Sequence, residues 1–193
     1  MRAKRATSRT SLPDYVGPGL EILFVGINPG LRSMAVGHHF AGYSNRFWKL
    51  LYGARLVPEP LGPEDDRRLP QWGIGITNLI RRPTAGVGSL KAEEYMAGRK
   101  RLHSLVLRHR PRIIALLGMT LLPAIFPPRP GPSTAASIPP RPSPGWQPKR
   151  FANTRVFLLP NPSGRNAHYS YEAMLALFAV LRGATAGERA SRN

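Results

Sequence analysis

The chain contains no cysteine in 193 residues. That excludes disulfides, a thiolate nucleophile, cysteine-ligated zinc and iron–sulfur clusters. Acid is scarce: 10 Asp and Glu stand against 28 Lys and Arg, a formal net charge of +18 and a sequence pI of about 11.6. Long apolar runs are missing too. The longest, "IIALLGMTLLPAIF" at 113–126, is interrupted by Pro123 and is too short to span a bilayer. The N-terminal "MRAKRATSRTSLPD" carries charge with no apolar stretch behind it, unlike a secretory signal. A soluble, intracellular, cytoplasmic protein with no membrane partner is expected.

What is present is a field that attracts polyanions, nucleic acid first among them. Basic termini contribute (Arg2, Lys4, Arg5, Arg9, Arg189, Arg192), yet Arg67, Arg68, Arg81, Arg82, Arg99, Lys100 and Arg101 lie in mid-chain. At 42% hydrophobic, the chain is long enough to bury one globular core. Residues 1–18 read as a disordered basic arm, 19–183 as a single domain and 184–193 as a flexible tail.

Apolar strands alternate with helical patterns. "EILFVGI" (21–27), "GIGITNLI" (73–80), "RIIALLG" (112–118) and the start of "TRVFLLPNPSG" (154–164) suit strands buried on both faces. "NRFWKLLYGA" (45–54) is helical by pattern. A second helix, capped by Ser89 with Glu93 and Glu94 in its first turn, runs to about His109. A last one, capped by Ser170, turns Met174, Leu177, Phe178 and Leu181 to one side. The proline-rich stretch 127–150 reads as an extended loop or surface insertion, or as a ligand for another domain through its two "PPRP" segments. The pattern predicts an α/β sandwich around a mostly parallel sheet of four or five strands. Ligands of such sheets bind beyond the carboxyl ends of the strands. There "GINPG", "NLIRRPTAG" and "NPSG" would meet on one rim.

None of the ten acidic residues falls in those three loops, so a paired-carboxylate hydrolase or a carboxylate-held magnesium is unsupported. The glycines match neither G-x-G-x-x-G nor the P-loop. His38, His39, His103, His109 and His168 show no metal-ligand spacing. No metal or cofactor is expected. Amides, hydroxyls, aromatics and arginines remain. They can hold a planar ligand and a water but supply no strong base, which suits a reaction dominated by bond-breaking.

"GINPGLRS…HHFAGYSNRFWKLL" together with "NPSGRNAHYS" resembles the mismatch-specific uracil-DNA glycosylase / thymine-DNA glycosylase family, over about Leu20 to Arg182. The resemblance implies a three-layer α/β/α fold and a monofunctional, cofactor-free glycosylase. Such an enzyme flips uracil, or another damaged or mismatched pyrimidine, out of double-stranded DNA and hydrolyses its N-glycosidic bond, acting as a monomer. It makes Asn28 the residue that positions the attacking water; without it, Asn28 would be an asparagine chosen for a tight turn. It gives Ile27 and Gly30 backbone contacts near the base and places Ser33 and His39 in the same pocket. Phe40 would stack on the extruded base, or else be core, and Asn78 would read the pyrimidine edge. Asn161, Ser163, Gly164, Arg165 and Asn166 form the loop expected to enter the minor groove. Arg165 stands where relatives carry an apolar wedge, and could plug the gap or hold a phosphate. No lysine sits in the rim loops. The competing reading is a non-catalytic DNA-binding protein on the same fold.

Overall fold

The computed structural model describes residues 10–127 and 142–190, without the side chains of 186–190. Residues 1–9 of the basic arm, 128–141 of the proline-rich stretch and 191–193 of the tail lie outside it.

Five strands form one sheet: β1 (Ile22–Gly26), β2 (Ile74–Asn78), β3 (Ile113–Leu117), β4 (Gly145–Phe151) and β5 (Thr154–Leu159). Their order is β2-β1-β3-β5-β4. The pairs β1–β2, β1–β3 and β3–β5 are parallel, and β4 runs antiparallel to β5 at the edge. β1, β2, β3 and most of β5 are buried, as their unbroken apolar runs require.

Alternation along each strand divides the core in two. Ile22, Phe24, Ile113, Ala115, Phe157 and Leu159 face the side of α2 (Phe47–Gly53) and α5 (Tyr171–Ala190), packing with Phe47, Leu51, Met174, Phe178 and Leu181. Leu23, Val25, Ile114, Leu116, Val156 and Leu158 face α3 (Ala92–His109) and α4 (Leu121–Ile125), packing with Leu102, Val106, Leu121 and Ile125. The result is the expected three-layer α/β/α sandwich. A short α1 (Leu31–Val36) follows the first loop. No helix among the described residues is long and apolar enough to cross a membrane.

Four features depart from expectation. The end of the proline-rich stretch is not loop but β4. Its backbone tolerates Pro148 because the register shifts between Gln147 and Phe151 on an edge strand, where a missing N–H breaks no interior ladder. The described part of the arm, from Thr10, is held against the domain. Tyr15 exchanges both backbone hydrogen bonds with Ile76, at 3.0 and 2.9 Å, covering the open edge of β2, and Leu12 is buried. α5 continues through the expected tail to Ala190, its Ser170 hydroxyl accepting the Ala173 N–H at 3.1 Å. Finally, Ser89 does not cap α3. It lies in a separate 3₁₀ turn, and the Lys91 N–H donates to the Glu94 carboxylate at 2.9 Å instead.

Candidate active site

The three loops do meet. They enclose a cavity of about 480 Å³ at the carboxyl ends of β1, β2, β3 and β5, within the range of pockets that take a small ligand. Ile27, Asn28, Gly30 and Ser33 line one wall, His39, Phe40 and Asn78 the floor, Thr84 to Val87 the lip, and Asn161, Ser163, Arg165 and Asn166 the far side. The described lining contains no carboxylate and no lysine.

Asn28 follows β1 directly. Its Nδ2 lies 2.7 Å from Thr84 Oγ1, 3.2 Å from the Arg82 carbonyl and 3.3 Å from the Pro29 carbonyl. Carbonyls only accept, so the nitrogen end must be the one facing them, which fixes the amide orientation. The Thr84 hydroxyl donates its own proton to the Gly86 carbonyl at 2.7 Å and so can accept from Asn28. Nδ2 is thus taken up, and Oδ1 is left as an acceptor on a residue that lines the cavity. The Arg82 carbonyl is held in turn, because the Arg82 guanidinium binds both oxygens of Glu94. That ion pair and the Lys91 N–H draw the Glu94 pKa down to about 2.

The floor is built around a buried histidine. His39 Nε2 lies 2.8 Å from the Pro13 carbonyl, so this nitrogen carries the proton. Burial pushes the ring's pKa below its ordinary value, favouring the neutral form, and Nδ1 is then an acceptor for Asn78 Nδ2 at 3.2 Å. Asn78 is thereby oriented. One Nδ2 proton remains free, and Oδ1 stands over Gly26, where an added Cβ would lie 2.5 Å from it. The Phe40 ring also hangs over Gly26, 3.3 Å from that Cβ position. Phe40 adopts a left-handed φ of 51°, a strained conformation for a bulky side chain. Phe47 backs its ring at a centroid distance of 4.4 Å, leaving Phe40 half-buried against the cavity. Asp66, fully buried, pins the turn by accepting from the His39 N–H at 2.9 Å and contacting His38 Nδ1 at 3.2 Å. Behind Asn78, Arg101 donates to its carbonyl, to Thr77 Oγ1 at 3.2 Å and to Asp14 at 2.6 Å.

The far loop is held from within. Asn161 Oδ1 accepts the Ser163 N–H at 3.0 Å, and Asn166 uses Nδ2 on the Asn161 carbonyl and Oδ1 on the His168 N–H. Arg46 donates to the carbonyls of Ser163, Asn166 and Tyr169. Gly164 packs so closely on Ser44 that a Cβ would collide with it. Arg165 is exposed and reaches across the cavity lip to the Ala85 carbonyl at 3.3 Å.

Every residue singled out in the sequence lies on this cavity except Gly164, which braces its loop from behind. Three carry structural duties that spacing did not reveal. Ser33 Oγ accepts the Ala41 N–H at 3.0 Å, His39 is buried rather than exposed, and both ends of Asn166 are committed to its own loop. The reading missed Gly26, Thr84, Arg46, Arg101 and the Leu12–Asp14 segment. Gly26, the first residue of "GINPG", and the hydroxyl in "RRPT" were available signals; the other contacts are long-range.

A mostly parallel α/β sheet whose strand ends surround an aromatic-floored cavity, free of carboxylates in its described lining and edged by Arg32 and Arg165, defines the class of protein by its fold and site. The model of the Uracil DNA glycosylase superfamily matches residues 13–182, and the chain belongs to that superfamily. The match begins within the segment that covers β2. The chain is 35% identical over 164 residues to a G/U mismatch-specific uracil DNA glycosylase of Schizosaccharomyces pombe, covering 83% of this chain and 49% of the relative. It thus spans about half that relative's length. A solution NMR structure of a candidate uracil DNA glycosylase from Methanosarcina acetivorans superposes with a TM-score of 0.56 at 17% identity, over 90% of this chain and 96% of the other. That likeness is one of fold.

Proposed function

We propose that the protein is a monofunctional DNA glycosylase of the mismatch-specific branch, removing uracil from double-stranded DNA. The observation that carries this is the Asn28 amide: its nitrogen is anchored to Thr84 and Arg82, and its oxygen is left for the cavity that Phe40 and Asn78 floor. A base extruded onto Phe40 regains stacking lost from the helix. The Asn78 edge offers one donor and one acceptor, matching O4 and N3–H of uracil. Thymine shares that edge, whereas cytosine would set donor against donor and acceptor against acceptor.

The C1′–N1 bond breaks with its electron pair going to the base. Water, its hydrogen held by Asn28 Oδ1, adds to the oxocarbenium-like C1′ and releases a proton. An amide suffices because the electrophile is already cationic and no strong base is needed. With no lysine in the lining, no Schiff base forms and an abasic site remains. Ser163, Gly164 and Arg165 approach the minor groove, Arg165 leaving the Ala85 carbonyl to fill the vacated space. One copy supplies the described lining of the cavity, in keeping with action as a monomer, and the proposed location is cytoplasmic, with the nucleoid if the source is bacterial.

The test uses duplexes with a single G·U, A·U or G·T pair, followed by alkali. G·U cleavage is expected, and Asn28→Ala should lower its rate by about 10²–10³-fold with DNA affinity retained. Binding with no cleavage of any duplex would establish the non-catalytic reading instead.

A further inference from the structure

Tyr43 is 88% exposed, the most open of the large apolar and aromatic side chains described. It is nonetheless not loose. Its neighbours pin the turn from both sides. Asn45 N–H donates to the Gly42 carbonyl at 2.9 Å, Arg46 N–H to the Pro162 carbonyl at 2.9 Å, and Ser44 packs on Gly164. Beneath the ring, the Arg32 guanidinium carbon lies 3.5 Å from the centroid, and Arg32 is itself anchored by Nε to the Ala41 carbonyl at 2.8 Å. Arg32, Gly42 and Asn45 line the cavity. An exposed aromatic ring on a hydrogen-bonded turn thus stands beside residues that line the cavity, one face occupied by a cation.

We propose that the other face of this ring is a second nucleobase subsite, which stacks an unpaired base beside the extruded nucleotide and lets the enzyme use single-stranded DNA. In duplex DNA the neighbouring bases remain stacked on one another and have little to gain from Tyr43. In a single strand they have no such partner, and an aromatic platform beside a basic groove is how proteins hold successive unpaired bases. The guanidinium below withdraws electron density from the ring and so favours an electron-rich purine above it. The inference rests on the glycosylase reading for the register of the flanking base, though not for the stacking itself.

Two measurements separate those claims. The first is the ratio of single-turnover uracil excision from a single strand, with adenines flanking the uracil, to excision from a G·U duplex. The second is the affinity of a labelled, uracil-free adenine-rich strand, followed by fluorescence anisotropy. Tyr43→Ala should lower both the ratio and the single-strand affinity by about 5- to 150-fold, the range base–aromatic stacking carries. Tyr43→Phe should restore both to within about twofold, since stacking needs the ring and not the hydroxyl. An unchanged ratio and affinity in Tyr43→Ala would overturn the subsite. So would an equal loss in Tyr43→Phe, which would mark a hydroxyl contact to phosphate. If the wild type excises nothing from the G·U, A·U or G·T duplex, the glycosylase reading fails by itself. The anisotropy comparison then still supports or overturns stacking at Tyr43.

Discussion

Replacing Thr84 by valine tests whether catalysis depends on how Asn28 is held. The swap keeps the shape of a residue that is only 7% exposed and deletes one oxygen. Asn28 Nδ2 then loses its shortest contact, 2.7 Å, and keeps carbonyls at 3.2 and 3.3 Å. The Gly86 carbonyl loses its donor as well. A net hydrogen bond is worth about 0.5–1.5 kcal/mol. If that difference is felt mainly when Oδ1 steers water in the transition state, the rate falls by about 2- to 12-fold, well short of the Asn28→Ala loss. The assay is single-turnover excision from a G·U duplex with enzyme in excess, read by alkaline cleavage. Thr84→Ser keeps the oxygen and should remain within about twofold of wild type. Wild-type rates in Thr84→Val, or a Ser variant as slow as the Val variant, would refute the claim that this hydroxyl positions the amide.

Three further outcomes follow from the geometry. Gly26→Ala places a methyl 2.5 Å from Asn78 Oδ1 and 3.3 Å from the Phe40 ring. Displacing the groups proposed to contact the base by such amounts should cost about 100-fold in excision rate, measured on the same duplex. His39 has its pKa lowered by burial, so the unfolded chain takes up the proton first as pH falls. Its contribution to stability is complete above about pH 6.5 and drains away below it. Melting temperatures at pH 7.5 and 5.5 should show a drop that His39→Leu reduces, while the same variant, with Asn78 free to turn over, should narrow the preference for uracil over cytosine. Gly98→Ala drives a Cβ into the Leu79 carbonyl where α3 crosses the end of β2. Overpacking of about 1–3 kcal/mol should lower the melting temperature by about 2–12 °C.

The interior strands were legible because parallel strands buried on both faces must be continuous apolar runs, and "ILFVG", "IIALL" and "RVFLL" can be little else. β4 escaped because an exposed edge strand needs no such run. Its Trp146, Gln147, Pro148, Lys149 and Arg150 show no apolar face in sequence, and only pairing with β5 makes them a strand. The arm escaped for a related reason. Leu12, Tyr15 and Val16 make no apolar run, and the partners of Tyr15 lie at His39 and Ile76, 24 and 61 positions away. In the site, the groups facing the cavity were readable from compact motifs. The groups that aim them were not: Thr84 is 56 positions from Asn28, and Pro13 is 26 from His39.

The ordered segment Leu12–Tyr15 changes what the base pocket consists of. Leu12 lines the cavity, the Pro13 carbonyl sets which nitrogen of His39 carries the proton, Asp14 holds Arg101, and Tyr15 packs edge-on against His39 with centroids 5.8 Å apart. Arg101 also grips the carbonyl of Asn78. The Asn78 amide is therefore oriented from its side chain through His39 and from its backbone through Arg101, and both lines end in the same four residues. A neutral amide reads either hydrogen-bond pattern if it can rotate by half a turn. Under the proposed function, what would make Asn78 specific is that the His39 nitrogen beside it accepts, a state set by the Pro13 main-chain carbonyl, which cannot change its own polarity. On that proposal, discrimination in this pocket traces to a backbone atom in a segment whose sequence reads as a disordered basic arm.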